Sequence, residues 1–160
     1  MERNGGFTAF ELAVTIAIAT IIAALVMPPY LNWLRGHRLR GATTNLMADL
    51  ELAKIRAIRE NAFVVVQFRV DGYTLFLDNG QGAGTEGDWI QNGGELLVRE
   101  REMPTGVAID LATMTLPGQR ARFNGRGIPP DIAAAEIITV GNSNGQSQVR
   151  LNRLGHMETL

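Results

Sequence analysis

The chain contains no cysteine. Disulfides and thiolate metal sites are therefore excluded, while the redox state of the compartment stays open. Histidine is almost as scarce: His37 and His156 lie far apart in sequence and form no evident metal pair. Neither sign of charge dominates. The formal net charge is −1, so no global field would recruit nucleic acid. Aromatic residues make up only 6% of the chain against 18 glycines, a balance that suits a turn-rich β domain. There is no low-complexity tract and no internal repeat. At 160 residues, the chain has room for one membrane helix and one small soluble domain.

A long apolar run is present near the start. From Leu12 the sequence reads LAVTIAIATIIAALVM, then Pro28-Pro29-Tyr30-Leu31-Asn32-Trp33-Leu34. A bilayer core needs about 20 mostly apolar residues as helix, and this stretch is long enough. Tyr30 and Trp33 suit the aromatic belt at a membrane surface. A cleaved secretory signal fits less well. Its apolar core would span about 7–15 residues with a small-residue cleavage site after it, whereas here the run is longer and the small pair Gly5-Gly6 precedes it. Pro28 and Pro29 lack backbone donors, so a kink or a short unwound stretch is expected there.

Glu11 interrupts the apolar segment near its head. A carboxylate at a membrane-helix centre costs about 2.5–3.5 kcal/mol on insertion scales, which marks such a group as functional and in need of a partner. Stabilisation by the positive end of the helix dipole is the simpler role for it. The basic residues flanking the segment are unevenly shared. Arg3 stands on one side, and Arg35, Arg38 and Arg40 with His37 stand on the other. The positive-inside rule alone would place the C-terminal flank in the cytoplasm.

Residues 35–61 read as an amphipathic helix continuing from the membrane segment. Leu39, Ala42, Leu46, Leu50, Ala53 and Ala57 recur every three or four positions, with Arg38, Asp49, Glu51, Lys54, Arg56 and Glu60 assigned to other faces. The period then changes to two. Phe63–Val70 reads as a strand, Asp71-Gly72 as a hairpin turn, and Tyr73–Leu77 as the returning strand. Residues 79–94 form a Gly-rich loop around Trp89. Further strands are expected over Leu96–Arg101, Val107–Leu111, Glu136–Val140 and Gln148–Asn152, with a short edge strand within His156–Leu160.

Gly6-Phe7-Thr8-x-x-Glu11-Leu12 ahead of an apolar helix resembles the N-terminus of type IV pilins and type II secretion pseudopilins. Pro28 also falls where many of them carry proline. Ala9 and Phe10 depart from the usual Leu and Ile but keep the segment apolar. The resemblance implies that a membrane aspartyl peptidase cuts between Gly6 and Phe7 and methylates the new N-terminus, giving N-methylphenylalanine at Phe7. Glu11 would then pair with the Phe7 amine of its own or a neighbouring subunit and set assembly. A lone buried charge is strongly unfavourable and a paired one much less so. The family orientation, leader in the cytoplasm and globular part outside the inner membrane, overrides the charge bias.

Later features narrow the resemblance. FNGRG at 123–127, the strand EIITV, a Gly/Asn loop, the strand QVRLN and a turn at Gly155 are similar to the C-terminal half of the GspH/FimT group of minor pilins and pseudopilins. Some minor pilins of this group capture DNA through a Gly-Arg-x-Arg tail. Here that tail reads Gly155-His156-Met157-Glu158, with both arginine positions lost. Arg120, Arg122, Arg126, Arg150 and Arg153 are the candidate DNA contacts, since phosphate contacts dominate nucleic-acid affinity. Solvated arginines on strand faces are the simpler reading.

Other motifs carry little chemistry. Gly141-Asn142-Ser143-Asn144-Gly145 fits G-x-S-x-G, but its flanks are strands rather than strand and helix, so it reads as a hairpin loop. Gly82-Ala83-Gly84-Thr85-Glu86-Gly87 fits G-x-G-x-x-G without a following helix and reads as a flexible surface connection. Asp71, Asp78, Glu86 and Asp88 offer oxygen ligands of the kind calcium takes, and some pseudopilins bind calcium, but EF-hand spacing is absent. No catalytic residue, cofactor or metal is assigned, and the chain is not read as an enzyme.

The expected fold is α+β and pilin-like: a long N-terminal helix, half membrane and half amphipathic, packed on a small antiparallel β-sheet domain. The expected divisions are a leader at 1–6, a transmembrane and assembly helix at 7–34, its amphipathic continuation at 35–61 and a periplasmic β-rich domain at 62–160. The expected function is that of a minor subunit of a type II secretion pseudopilus or type IV pilus, in a tip or initiation complex, with DNA capture in natural transformation as the alternative. The expected partners are other pilins or pseudopilins, the prepilin peptidase and methyltransferase, and inner-membrane lipid.

Overall fold

A computed structural model of the chain describes residues 8–82 and 84–160. The leader at 1–6, Phe7 and Ala83 lie outside the described residues. The chain opens with one helix, α1, over Ala9–Glu60. Eight strands follow: β1 (Phe63–Arg69), β2 (Gly72–Asp78), β3 (Leu97–Glu102), β4 (Ala108–Asp110), β5 (Arg120–Phe123), β6 (Glu136–Asn142), β7 (Gly145–Leu151) and β8 (Met157–Thr159). The chain divides into two units, residues 1–34 and 35–160.

In the first unit, every residue from Thr8 to Trp33 is exposed. An apolar helix with no covering protein, long enough to cross a membrane, suits lipid as its solvent. The helix is continuous through Pro28 and Pro29, so the expected unwound stretch does not occur. Small local adjustments are enough to accommodate proline in a membrane helix.

The second unit is built around one core. Leu39, Ala42, Leu46, Leu50, Ala53 and Ala57 form the buried stripe of α1, as their spacing predicts. The helix then stops at Asn61, whose φ of 50° is left-handed. Asn61 N–H bonds to Ile58 O and Ala62 N–H to Ala57 O, at 3.4 and 3.2 Å. This paired pattern satisfies the last carbonyls and turns the chain into β1.

Two four-stranded antiparallel sheets complete the domain, ordered β3-β2-β1-β5 and β4-β6-β7-β8. In the first, Val64, Val66, Phe68, Tyr73, Leu75, Leu77, Ala121 and Phe123 face the helix side of the core; in the second, Ile109, Ile138, Val140, Val149 and Leu151 do so. Ile109 N–H bonds to Val70 O at 3.0 Å and links the two sheets. The expected final edge strand is β8. Strand β5 is an addition, since the residue pattern alone does not separate it from the FNGRG turn.

Two glycines of the late turns sit where a side chain would collide. Gly127 has φ +73°, and a Cβ there would lie 2.7 Å from Ile58 Cδ1. Gly155 has φ +72°, and its Cβ would lie 2.5 Å from Gly127 O. The Gly155 carbonyl in turn accepts a bond from Lys54 Nζ at 3.1 Å. The two turns thus stack on each other and on the last turns of α1, which is why both must be glycine.

Candidate functional site

Glu11 stands in the first turn of α1. Its Oε2 accepts from the Thr8 N–H and from the Thr8 hydroxyl, both at 2.9 Å, and the Glu11 N–H donates to Thr8 Oγ1 at 3.2 Å. This is a reciprocal capping box, with Thr8 at the N-cap and Glu11 three residues on. Its sequence signal is Thr8-x-x-Glu11, a spacing that the pilin resemblance masks by giving the same glutamate another role. Glu11 therefore starts its own helix, and Oε1 has no part in those three bonds. Glu11 is also the only charged side chain between Thr8 and Leu34. Gly6 and Phe7, where the resemblance places processing, lie outside the described residues.

The Gly141–Gly145 segment is the tip of the β6–β7 hairpin, closed by the Asn142↔Gly145 pair. Asn142 Nδ2 donates to Arg35 O of α1 at 2.8 Å, and Asn142 Oδ1 accepts from Asn144 N–H at 2.8 Å. Strand-to-strand geometry gives Ser143 no nucleophile elbow. His156 sits in the β7–β8 turn with its N–H on Asn152 Oδ1.

The Gly-rich loop expected over 79–94, with a flexible connection at 82–87, extends to Leu96, and its described residues are tied down by buried carboxylates. Buried Asp78 accepts from Gly87 and Trp89 N–H at 2.6 and 3.1 Å. Buried Glu95 accepts from Gly80 and Asn92 N–H, each at 3.0 Å. Asp88 accepts from Ile90 N–H and Asn92 Nδ2. Burial raises the Asp78 carboxyl above its ordinary range, opposed by the two N–H donors and assisted by the nearby charges of Glu95 and Asp88. Of the four acids first considered for calcium, Asp78 and Asp88 brace this loop and Asp71 pairs with Arg69 at 3.5 Å. Among the described residues no three His, Asp or Glu side chains gather as a metal site.

The five arginines do not form one basic face. Arg120 and Arg122 lie on β5 of the first sheet, and Arg150 lies on β7 of the second. Arg122 pairs with Asp131 at 3.0 Å, donates to Gly87 O at 3.2 Å, and lies 4.5 Å from the Phe63 ring and 4.2 Å from the Trp89 ring. Arg120 donates to Gln67 and to Trp89 O. Arg150 pairs with Glu158, the acid that stands in the altered tail. Arg126 and Arg153 lie in turns.

Asp49 corrects the sequence reading. The charge pattern assigns it to an outer face of the helix, yet only 1% of it is exposed. It follows Leu46 by three residues and precedes Ala53 by four, so helical geometry puts it in the buried stripe. Its carboxylate accepts from Tyr73 Oη at 2.8 Å, Arg99 Nη1 at 2.7 Å and Arg101 Nε at 2.6 Å. Burial and the Asp49 carboxylate push the Tyr73 hydroxyl well above its ordinary value. The bond to Asp49 likewise raises Arg101. This clamp fastens edge strand β3 to the helix. Its sequence signal is the 3-4 spacing, and its partners become visible only once β2 and β3 are in register.

The family model described as Type II transport protein GspH matches residues 42–155. Among solved structures, the chain is similar to the type IV minor pilin FimU of Pseudomonas aeruginosa in two crystal forms. The identity is 12% in both, with TM-scores of 0.56 and 0.58, covering 76% and 80% of this chain and 92% of that one. It is also similar to the minor pseudopilin EpsH of the Type 2 Secretion System of Vibrio cholerae. There the identity is 13% and the TM-score 0.56, covering 77% of this chain and 96% of that one. At such identities the likeness concerns the fold, which is pilin-like in all three. No curated protein matches the sequence.

Proposed function

Because the chain belongs to the family of the type II transport protein GspH, we propose that it is a minor subunit of a secretion pseudopilus or type IV pilus, assembled through its N-terminal helix. The carrying observation is the first unit: an apolar helix exposed from Thr8 to Trp33, with Glu11 as its single charge. A helix of that kind is soluble only in lipid or among other apolar helices. A carboxylate at its head costs free energy in either setting until a cation meets it.

In this reading the prepilin peptidase cuts between Gly6 and Phe7 and the new Phe7 amine is methylated. The amine is cationic at neutral pH. Oε2 of Glu11 already caps the helix through Thr8, and the second carboxylate oxygen receives the amine of the same or an adjacent subunit. The leader lies in the cytoplasm, and the β domain lies on the periplasmic side of the inner membrane. The fold contributes a β domain built around one core, and no described residue set in it has the arrangement of a catalytic centre.

Intact-mass measurement of the chain from cells with and without the peptidase tests the processing step. Loss of residues 1–6 with gain of one methyl group is expected only when the peptidase is present. A full-length mass in both strains would reject it. For a DNA-capturing subunit, three of the five candidate arginines are engaged by other side chains or carbonyls, and no observation favours that reading over assembly.

A further inference from the structure

The first sheet has a second buried row that faces away from the main core. Val64, Val66 and Phe68 belong to the core cluster, so Val65 points to the opposite face. Val65 is paired with Phe76 on one side and Arg122 on the other. Val65 is 0% exposed and Phe76 2%, although neither belongs to the main core cluster. An outward-facing row can be that dry only if chain lies over it.

Loop 79–96 supplies chain on the β5 side of that row, where Arg122 stands beside Val65. Gly87 O and Trp89 O accept from Arg122 and Arg120, and the Trp89 ring covers the Arg122 guanidinium, whose other contacts are Phe63 and Asp131. No described residue of 79–96 belongs to the main core cluster, and its large aliphatic side chains, Ile90 and Leu96, are exposed. The loop is therefore held shut by polar bonds and one aromatic contact, not by the burial that holds the rest of the domain. Trp89 has φ +67°. A bulky residue in the left-handed region is strained and persists only where its surroundings over-determine it, a pattern common to clamps and switch segments.

We propose that the described residues of 79–96 form a lid that lifts from the first sheet as a unit, with Arg122 and Trp89 as its latch, while the described part of α1 and both sheets stay folded. Lifting uncovers the Phe76–Val65 row and frees Phe63 and Trp89. The hinges are the two ends of the loop; lifting breaks the bonds from Gly87 and Trp89 N–H to Asp78 of β2, whereas those from Gly80 and Asn92 N–H to Glu95 lie within the loop and move with it. The inference does not depend on the filament reading, since it concerns the β domain by itself.

Hydrogen exchange with peptide-level mass detection, on the full chain in detergent micelles, tests it. In the unaltered protein, peptides from 79–96 should exchange at least about tenfold faster than those from β1, β2 and residues 39–60, as for any sub-global opening. Arg122→Gln should speed the lid about tenfold more, the equivalent of about 1.4 kcal/mol, and leave β6 and β7 unchanged. Trp89→Ala, which retains the Arg122–Asp131 pair, should do the same. Lid and sheet peptides exchanging together in the unaltered protein would overturn the proposal without any variant. So would variants that accelerate the whole domain equally, or that leave the lid unchanged.

Discussion

Replacing Asp49 with alanine would leave the Tyr73 hydroxyl and two guanidinium groups without their common acceptor. Breaking a buried ion pair from one side costs about 3–5 kcal/mol when the remaining charge stays dry. That condition is only partly met. The Arg99 and Arg101 side chains are 43% and 33% exposed, so water recovers much of their loss and each contributes about 0–1 kcal/mol. Tyr73 is fully buried and has no such recourse, which adds about 1–3 kcal/mol for an unsatisfied hydroxyl. Asp49→Ala should therefore cost about 3 kcal/mol, in the middle of the combined range. Asp49→Asn, which keeps an acceptor oxygen, should cost about half that. Replacing the whole set by apolar residues (Asp49→Leu, Arg99→Leu, Arg101→Leu, Tyr73→Phe) should come close to neutral. Urea unfolding of the detergent-solubilised full chain reads these differences. With a slope of about 1–3 kcal/mol per molar, the Asp49→Ala midpoint should fall by about 1–3 M. A midpoint shift equivalent to less than about 0.5 kcal/mol would refute the reasoning, because surface substitutions alone reach that size.

Gly127→Ala should destabilise by about 1–3 kcal/mol through its positive φ and the Ile58 contact, whereas Gly41→Ala, in an open helical position, should stabilise by about 0.5–1 kcal/mol. Thermal unfolding of the two variants should move in opposite directions, and equal effects would contradict the turn-stacking account. Asp78 makes a pH prediction. Its folded-state pKa is raised by burial, so the folded chain holds the proton more tightly than the unfolded one. That contribution is fully present below the unfolded value of about 3.9 and is lost as pH rises through the folded value. The stability of the unaltered chain relative to Asp78→Asn should therefore decline as pH rises above about 4. A relative gain on raising the pH from there would show that the two N–H donors outweigh burial.

Much of the architecture can be read from residue patterns because it rests on local periodicity. The stripe from Leu39 to Ala57 and the β1–β2 hairpin at Asp71-Gly72 require only spacing and turn chemistry. Strand β5 escapes notice because Arg120-Ala121-Arg122-Phe123 is short and half charged. Its arginines look solvated, and only the folded loop brings Trp89 over Arg122. Asp49 is misplaced for a related reason. A carboxylate defaults to a surface face, and its three donors come from positions 24 to 52 residues away in sequence. The Gly-rich loop looks mobile because glycine content is local, while the buried carboxylates that brace it lie at its two ends. At the N-terminus the motif is legible, although the capping role of Glu11 emerges only with the helix start at Ala9.

Incorporation of Glu11→Ala into isolated filaments or tip complexes, compared with the unaltered chain in the same cells, tests the central claim most directly. Loss of the capping box costs a helix end about 1 kcal/mol, which is too little to prevent insertion of so long an apolar segment. The variant should therefore enter the membrane and lose residues 1–6 as usual, yet be missing from the assembled fraction. Normal incorporation of cleaved Glu11→Ala would contradict assembly through a Glu11–amine pair.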